Sequence, residues 1–194
     1  MTEQTSDKKR RKPKPATQER LRKAALYYID RYATSAEHLK SVLMRRVTRS
    51  ARLHETDQQE GQIWIDEIVA DLVNRGLVDD RAFAETRALS LHRGGASRRK
   101  IAMALKVKGV GDEDIETALR ALEETHANAE LVAARNYARR RRFGPWRSPA
   151  ERTERRDRDL AAMARAGFSF RMAQRVIDAA DIDALERDVA DLDY

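Results

Sequence analysis

The 194-residue chain has no cysteine, which excludes disulfide bridges and thiolate-held metals and suits a reducing compartment. No apolar run approaches the roughly 18 residues of a membrane span, and the N-terminus is charged where a secretory signal would be apolar. A cytoplasmic protein without membrane association is therefore expected. Its four histidines, His38, His54, His92 and His126, are scattered singly. None pairs at i, i+4 around a glutamate, and neither a nucleophile elbow nor a P-loop occurs. The expectation is a protein that is not an enzyme, with no metal and no cofactor. Sustained alternation of apolar and polar residues is missing as well, so no sheet is expected.

What the chain has in abundance is charge. Charged residues make up 37% of it, the net charge is +7 and the pI is near 9.8. The partner to expect is nucleic acid or a protein assembly that carries it. Residues 1–17 include "DKKRRKPKP" and show no apolar periodicity, so they cannot offset their ordering entropy and should be disordered. Such a segment is either a solubilising tail or a basic arm that adds phosphate contacts.

Beyond the tail almost everything has helical period. Leu21, Ala24, Ala25, Tyr28 and Tyr32 share one face. Leu39, Val42 and Leu43 make a second stripe after a cap at Thr34 or Ser35, and Ile65, Ile68, Val69 and Leu72 a third. Between the second and third, "VTRSARLHETDQQEG" lacks the spacing and reads as a connection. A second unit follows, with Phe83, Ala84, Ala88 and Leu91, then Ile101, Ala104 and Leu105, then Ile115, Ala118, Leu119 and Leu122. A third starts with Leu131, Ala134 and Ala138, breaks at "FGPWRSP", where Gly144, Pro145 and Pro149 forbid a continuous helix, and resumes around Leu160 and Ala173. Ile182, Leu185, Val189 and Leu192 mark a short acidic C-terminal helix. The expected fold is all-α: three tandem three-helix, helix-turn-helix-like repeats at 18–77, 78–124 and 125–181, then an acidic segment 182–194. Stacked units of this kind make an elongated, curved, solenoid-like molecule, expected as a monomer.

The units are punctuated by one pattern. An apolar residue, three more residues, Gly and an apolar residue occur as Leu72, Gly76, Leu77, as Leu105, Gly109, Val110 and as Met163, Gly167, Phe168. Gly suits the left-handed position after a helix, and the apolar residue beyond it folds back onto the last turn. Each stop precedes an N-cap candidate: Asp79 or Asp80, Asp112, and Ser169. A shift of 58 positions lays Ala102, Leu105, Gly109, Val110, Ile115, Ala118, Leu119 and Leu122 on Leu160, Met163, Gly167, Phe168, Ala173, Val176, Ile177 and Ala180, an internal repeat.

The acidic pair Asp79 and Asp80 could ligate a metal, but its place just before an apolar stripe favours capping. The glycines of "RGG" and "GVG" follow no strand and read as helix-linking turns. Trp64 lies on an apolar helix side and reads as core; Trp146, in a Gly-Pro loop between arginines, is the candidate for stacking on bases. The strongest functional signal is cationic. Arg45, Arg46, Arg49 and Arg52 end the second helix, and Arg98, Arg99, Lys100, Lys106 and Lys108 surround the central one. Arg135 and the run Arg139, Arg140, Arg141 and Arg142 lie in the third unit, with Arg147 beyond. Some of these complement helix C-termini. A run of four covers every side of a helical turn, so at least two guanidiniums must face solvent, where they can pair with phosphates or carboxylates.

"GLVDDRAFAETRA", a Gly-containing bend and "RRKIAMALKVKGV" together resemble the middle repeat of the RecX family, regulators of the recombinase RecA. The resemblance rests on Gly76, Leu77, Asp79, Asp80, Phe83, Ala84, Ile101, Leu105, Lys108 and Gly109. It is clear from Ile65 to Leu122 and weaker through Ala180. The chain departs from the family where the bend reads "RGGASRR" in place of a Gly-Pro pair, and in the polar stretch Thr48 to Gln62. The resemblance implies a modulator that lodges in the groove of the RecA filament on single-stranded DNA and suppresses ATP hydrolysis and strand exchange, in recombination, repair and the SOS response. The implied partners are that filament and single-stranded DNA, with double-stranded DNA a further candidate. The alternative is a helix-turn-helix transcription regulator, which would present Asn, Gln, Ser or Arg to base edges. The candidate helices offer mostly Arg, Lys and Ala, suited to backbone contact.

Overall fold

The computed structural model describes residues 14–125 and 128–190; the expectations for residues 1–13, His126 and Leu192 fall outside that range. Among the described residues there are ten α-helices, one 3-10 turn and no strand. The helices are α1 (Gln18–Ile29), α2 (Ala36–His54), α3 (Gln58–Asn74), α4 (Asp80–Arg93), α5 (Arg98–Lys106), α6 (Asp112–Thr125), α7 (Ala129–Arg141), α8 (Pro149–Arg165), α9 (Phe170–Ile177) and α10 (Ile182–Ala190). The fold is all-α. It divides into two compact units, one holding the residues through Ala33 and His38–Val78, the other Thr34–Glu37 and everything from Asp79 on.

In the first unit Thr17 caps α1 and Asp57 caps α3, each side chain accepting from an amide two or three residues on. Leu21 and Ala25, then Leu39, Leu43 and Val47, then Ile65, Ile68, Val69 and Leu72 are buried from the three helices. Each such leucine or isoleucine stabilises the unit by about 2 kcal/mol through its removal from water. The expected connection from Val47 to Gly61 is instead helix: α2 runs to His54 and α3 opens at Gln58. Val47 and Ser50 extend the Leu39–Leu43 stripe at helical spacing and are buried. Gly61 lets α3 close on α2, since a Cβ there would lie 2.4 Å from Val47 Cγ1. Arg and Ala, good helix formers, carry the polar turns between. Tyr32 lies past the end of α1, exposed, with its ring 5.1 Å from that of Tyr28.

Gly76, Gly109 and Gly167 all have positive φ, 68°, 74° and 94°, and the amides that follow them bond back to Leu72, Leu105 and Met163 at 2.9, 3.2 and 3.2 Å. Val110 and Phe168 are buried as the pattern requires. At the first stop Leu77 is exposed and Val78 is the residue that folds in.

The second unit contains two hydrophobic clusters. One joins α4, α5 and α6 through Ala84, Ala88, Ile101, Leu105, Leu119 and Leu122. The other joins α7, α8 and α9 through Leu131, Ala134, Met163, Phe168 and Val176, and takes in Leu185 of α10. The repeat holds at its centre: Leu105, Val110, Ile115, Ala118 and Leu119 are buried, and so are their counterparts Met163, Phe168, Ala173, Val176 and Ile177. It fails at the ends, because α9 stops at Ile177 and leaves Ala180 exposed.

Asp79 caps α4 and Ser169 caps α9, as their positions predict. Asp112 is instead the first residue of α6, whose opening bond runs from Ile115 to the Gly111 carbonyl at 3.0 Å. Asp80 is free to reach elsewhere and accepts from the Ala36 amide at 2.7 Å, at the start of α2. Ser35, at the cap position of α2, donates its hydroxyl to the Lys108 carbonyl.

Candidate nucleic-acid interface

Arg45, Arg46, Arg49 and Arg52 project from α2 into solvent. Other cations of this unit are neutralised: Lys40 pairs with Asp66 at 2.7 Å, and Arg22 and Arg75 hold Asp71 at 2.6 and 2.7 Å. The hydrogen bonds from Lys40 and from Arg22 push the carboxyls of Asp66 and Asp71 below the usual aspartate range. Among the described residues the four α2 arginines have no ion-pair or hydrogen-bond partner. Arg45, Arg49 and Arg52, with Met44, Thr48 and Leu53, line an open groove of about 600 Å³. Arg46 and Arg49 border a second groove of about 450 Å³ with Lys14 and Arg20. The chain ahead of α1 is held there by the Ala16 amide, which donates to Ser50 Oγ at 2.7 Å. Lys14 and Arg20 join this surface only through the fold, and no local signal in the sequence marks them.

The cations of α5 have mixed fates. Arg98 is held by Glu116 at 2.7 Å and Glu123 at 2.5 Å, and its amide donates to Glu130 at 2.9 Å. Burial pushes the Glu130 carboxyl up despite that bond. Lys106 pairs with Asp112 at 3.0 Å, and Lys108 is half-buried. Arg99 and Lys100 are exposed and have no partner among the described residues.

The arginines of the third cluster divide in the same way. Arg135 is 18% exposed and pairs with Glu186 at 2.5 Å. Arg147 makes a two-pronged pair with Asp159, 2.7 and 2.9 Å, in which the carboxylate is 3% exposed. Within the run of four, Arg140 donates to the Gly94 carbonyl and Arg141 lies over the Tyr137 ring at 5.8 Å. Arg142 takes the left-handed position that ends α7, and Arg139 is exposed without a partner among the described residues. Trp146, the candidate for stacking on bases, packs half-buried against the hydrophobic cluster of α7, α8 and α9. Pro145 directs it there by turning the chain into a 3-10 helix between α7 and α8.

The bend between α4 and α5 is a helix-linking turn. A Cβ on Gly95 would meet the Tyr137 amide nitrogen at 2.6 Å, so the turn lies directly on α7. Asp79 and Asp80 are both used as caps, and no group of three or more metal-ligating side chains gathers among the described residues. No helix of the described residues is long and apolar enough to cross a membrane.

Residues 79–119 match the family model described as RecX, second three-helix domain. Over longer spans the chain is similar to proteins named regulatory protein RecX. That of Myxococcus xanthus (strain DK1622) is 44% identical over 169 residues, 87% of this chain and 89% of the relative. The one from Agrobacterium fabrum (strain C58) is 35% identical over 80% of each chain. For Thermobifida fusca (strain YX) the identity is 29%, over 80% of this chain and 83% of the relative. No solved structure matches the chain.

Proposed function

On the premise that this chain belongs to the RecX family, we propose that it binds RecA assembled on single-stranded DNA and restrains that filament's ATP hydrolysis, growth and strand exchange. The observation that carries the reading is the exposed arginine stripe of α2. Four guanidiniums along one helix, borne by a protein of net charge +7, form an extended cationic surface that no carboxylate among the described residues satisfies. Such a surface suits a repeating row of phosphates better than a single small anion. Arg99, Lys100 and Arg139 supply further exposed cations in the second unit, without partners among the described residues. Bound along several RecA protomers, the chain would oppose the motion or growth that the filament needs.

Base-edge readout by α5 is disfavoured. Its first arginine is held by Glu116 and Glu123, and its exposed positions are Arg99, Lys100, Met103, Lys106 and Val107, with neither Asn nor Gln among them.

RecA ATPase on single-stranded DNA, titrated with this protein, tests the proposal. Hydrolysis should fall as the protein approaches a fixed ratio to RecA. Unchanged hydrolysis at saturation would remove the inhibitory role.

A further inference from the structure

The most exposed large apolar side chains described are Val107, Phe170 and Met103, at 83%, 62% and 61% exposure. All three lie on α5, its C-terminal end, or the start of α9. Met103 and Val107 follow Arg99 at four-residue steps, and Lys106 shares their side of the helix, so α5 presents Arg99, Met103, Lys106 and Val107 outward while Ile101 and Leu105 go to the core. Phe170 opens α9 directly after the turn that rests on the beginning of α5. Ser97 Oγ donates to the Ala166 carbonyl at 2.7 Å, and a Cβ on Gly167 would lie 3.4 Å from Arg99 Cβ. The turn that leads into Phe170 therefore rests on the first turn of α5, within the second unit.

Nothing in helix formation calls for these side chains. Position 107 needs no Val, a residue of only moderate helix propensity, and the phenylalanine that opens α9 is 62% exposed. The cations around them have no partners among the described residues: Arg99 and Lys100 on α5, Arg165 ending α8, and Arg171 beside Phe170. Exposed apolar anchors within a cationic rim are the composition of a protein-docking surface, whose core excludes water while its rim selects charge.

We infer that Met103, Val107 and Phe170, rimmed by Arg99, Lys100 and Arg171, form a docking site for a protein surface that offers apolar pockets among carboxylates. The charge complementarity of the rim specifies an acidic partner. A nucleic acid strand would satisfy the cations but would leave Met103 and Val107 without a function. This site deepens the function proposed above, on which it rests: the α2 arginines contact phosphate, and the α5–α9 patch contacts the RecA protein itself.

The test uses the full chain carrying Met103→Asp and Phe170→Asp together, and separately Val107→Asp, which at 83% exposure should not disturb folding. Circular dichroism and melting establish that each variant is folded. Affinity is measured for a bare single-stranded oligonucleotide and for the same oligonucleotide coated with RecA. Removal of interface anchors should weaken binding to the coated strand by about tenfold or more, with bare-strand affinity unchanged. Equal binding of variant and wild type to the coated strand would overturn the docking site while leaving the proposed function intact. Wild-type protein that does not distinguish coated from bare strand would overturn the proposed function itself. Parallel loss on both probes would assign the patch to nucleic acid, and a wild-type dimer dissociated by the variants would assign it to self-association; either overturns the inference.

Discussion

Asp80 accepts a 2.7 Å hydrogen bond from the Ala36 amide, so a carboxylate beside the cap of α4 also holds the beginning of α2, 44 positions earlier. The two adjacent aspartates serve different helices. Asp79 satisfies an amide of its own helix, Ala82 at 2.9 Å, and Asp80 satisfies an amide at the start of α2.

This relationship has a pH signature. Burial pushes the Asp80 carboxyl above the usual aspartate range, with the Ala36 bond opposing it and nearby acidic groups adding to it. The folded chain therefore holds that proton more tightly than the unfolded chain. Stability from this source is complete below the ordinary aspartate value and is lost as pH rises through the raised one. Asp80→Asn keeps an acceptor and never ionises, so its stability relative to wild type should improve with pH across that window. Asp80→Ala keeps nothing and should cost about 1 kcal/mol. Urea denaturation of the three proteins at several pH values distinguishes these outcomes.

The helix stops predict a graded response. Gly76 and Gly109 both sit at positive φ, but a Cβ on Gly76 meets nothing within 4 Å, whereas one on Gly109 would lie 2.4 Å from Glu37 Cβ. Gly76→Ala should therefore cost only the backbone penalty of about 1–2 kcal/mol, and Gly109→Ala should cost more. Thermal melts should rank wild type above Gly76→Ala and Gly76→Ala above Gly109→Ala. A reversed order would mean that Glu37 yields more readily than the backbone.

Arg147 separates a buried role from an interface role. Its partner Asp159 is 3% exposed, so Arg147→Ala strands a charge and should cost about 3–5 kcal/mol. Replacing both residues, Arg147→Met with Asp159→Leu, should restore much of that stability, because the stranded carboxylate is gone. The double variant should bind single-stranded DNA as wild type does. A loss of DNA affinity at full stability would return Arg147 to the interface.

Features that depend on neighbouring residues could be read from the sequence, and those that depend on distant ones could not. Gly109 followed by Val110, and Gly167 followed by Phe168, mark helix ends because cap geometry is set within six residues. The continuation of α2 was also readable in principle, since Val47 and Ser50 extend the stripe of Leu39 and Leu43; the polar residues around them hid it. The fate of each arginine was different. Arg98 finds Glu116 and Glu123, 18 and 25 positions away, and Arg135 finds Glu186, 51 positions away. In a chain with 32 acidic residues, the sequence does not indicate which cations the fold will neutralise. Tertiary structure therefore separates the arginines of α2, without partners among the described residues, from the bound ones that look identical in sequence.

That separation leads to a prediction about salt. If Arg45, Arg49 and Arg52 each neutralise a phosphate, binding to single-stranded DNA releases their counterions, and the logarithm of affinity falls with the logarithm of salt by about 0.7 for each contact. Changing all three to Ala should weaken binding at low salt and flatten that slope by about 2. Because these side chains are exposed and have no partner among the described residues, the melting temperature should stay near that of wild type. Arg98→Ala is the control. It loses its pairs with Glu116 and Glu123 but should leave the slope unchanged, because its charge is already matched within the fold. Affinity titrations at four or more salt concentrations measure both slopes. An unchanged slope in the triple variant would remove α2 from the nucleic-acid surface, whereas a flattened slope in Arg98→Ala would show that Arg98 exchanges its carboxylates for phosphate on binding.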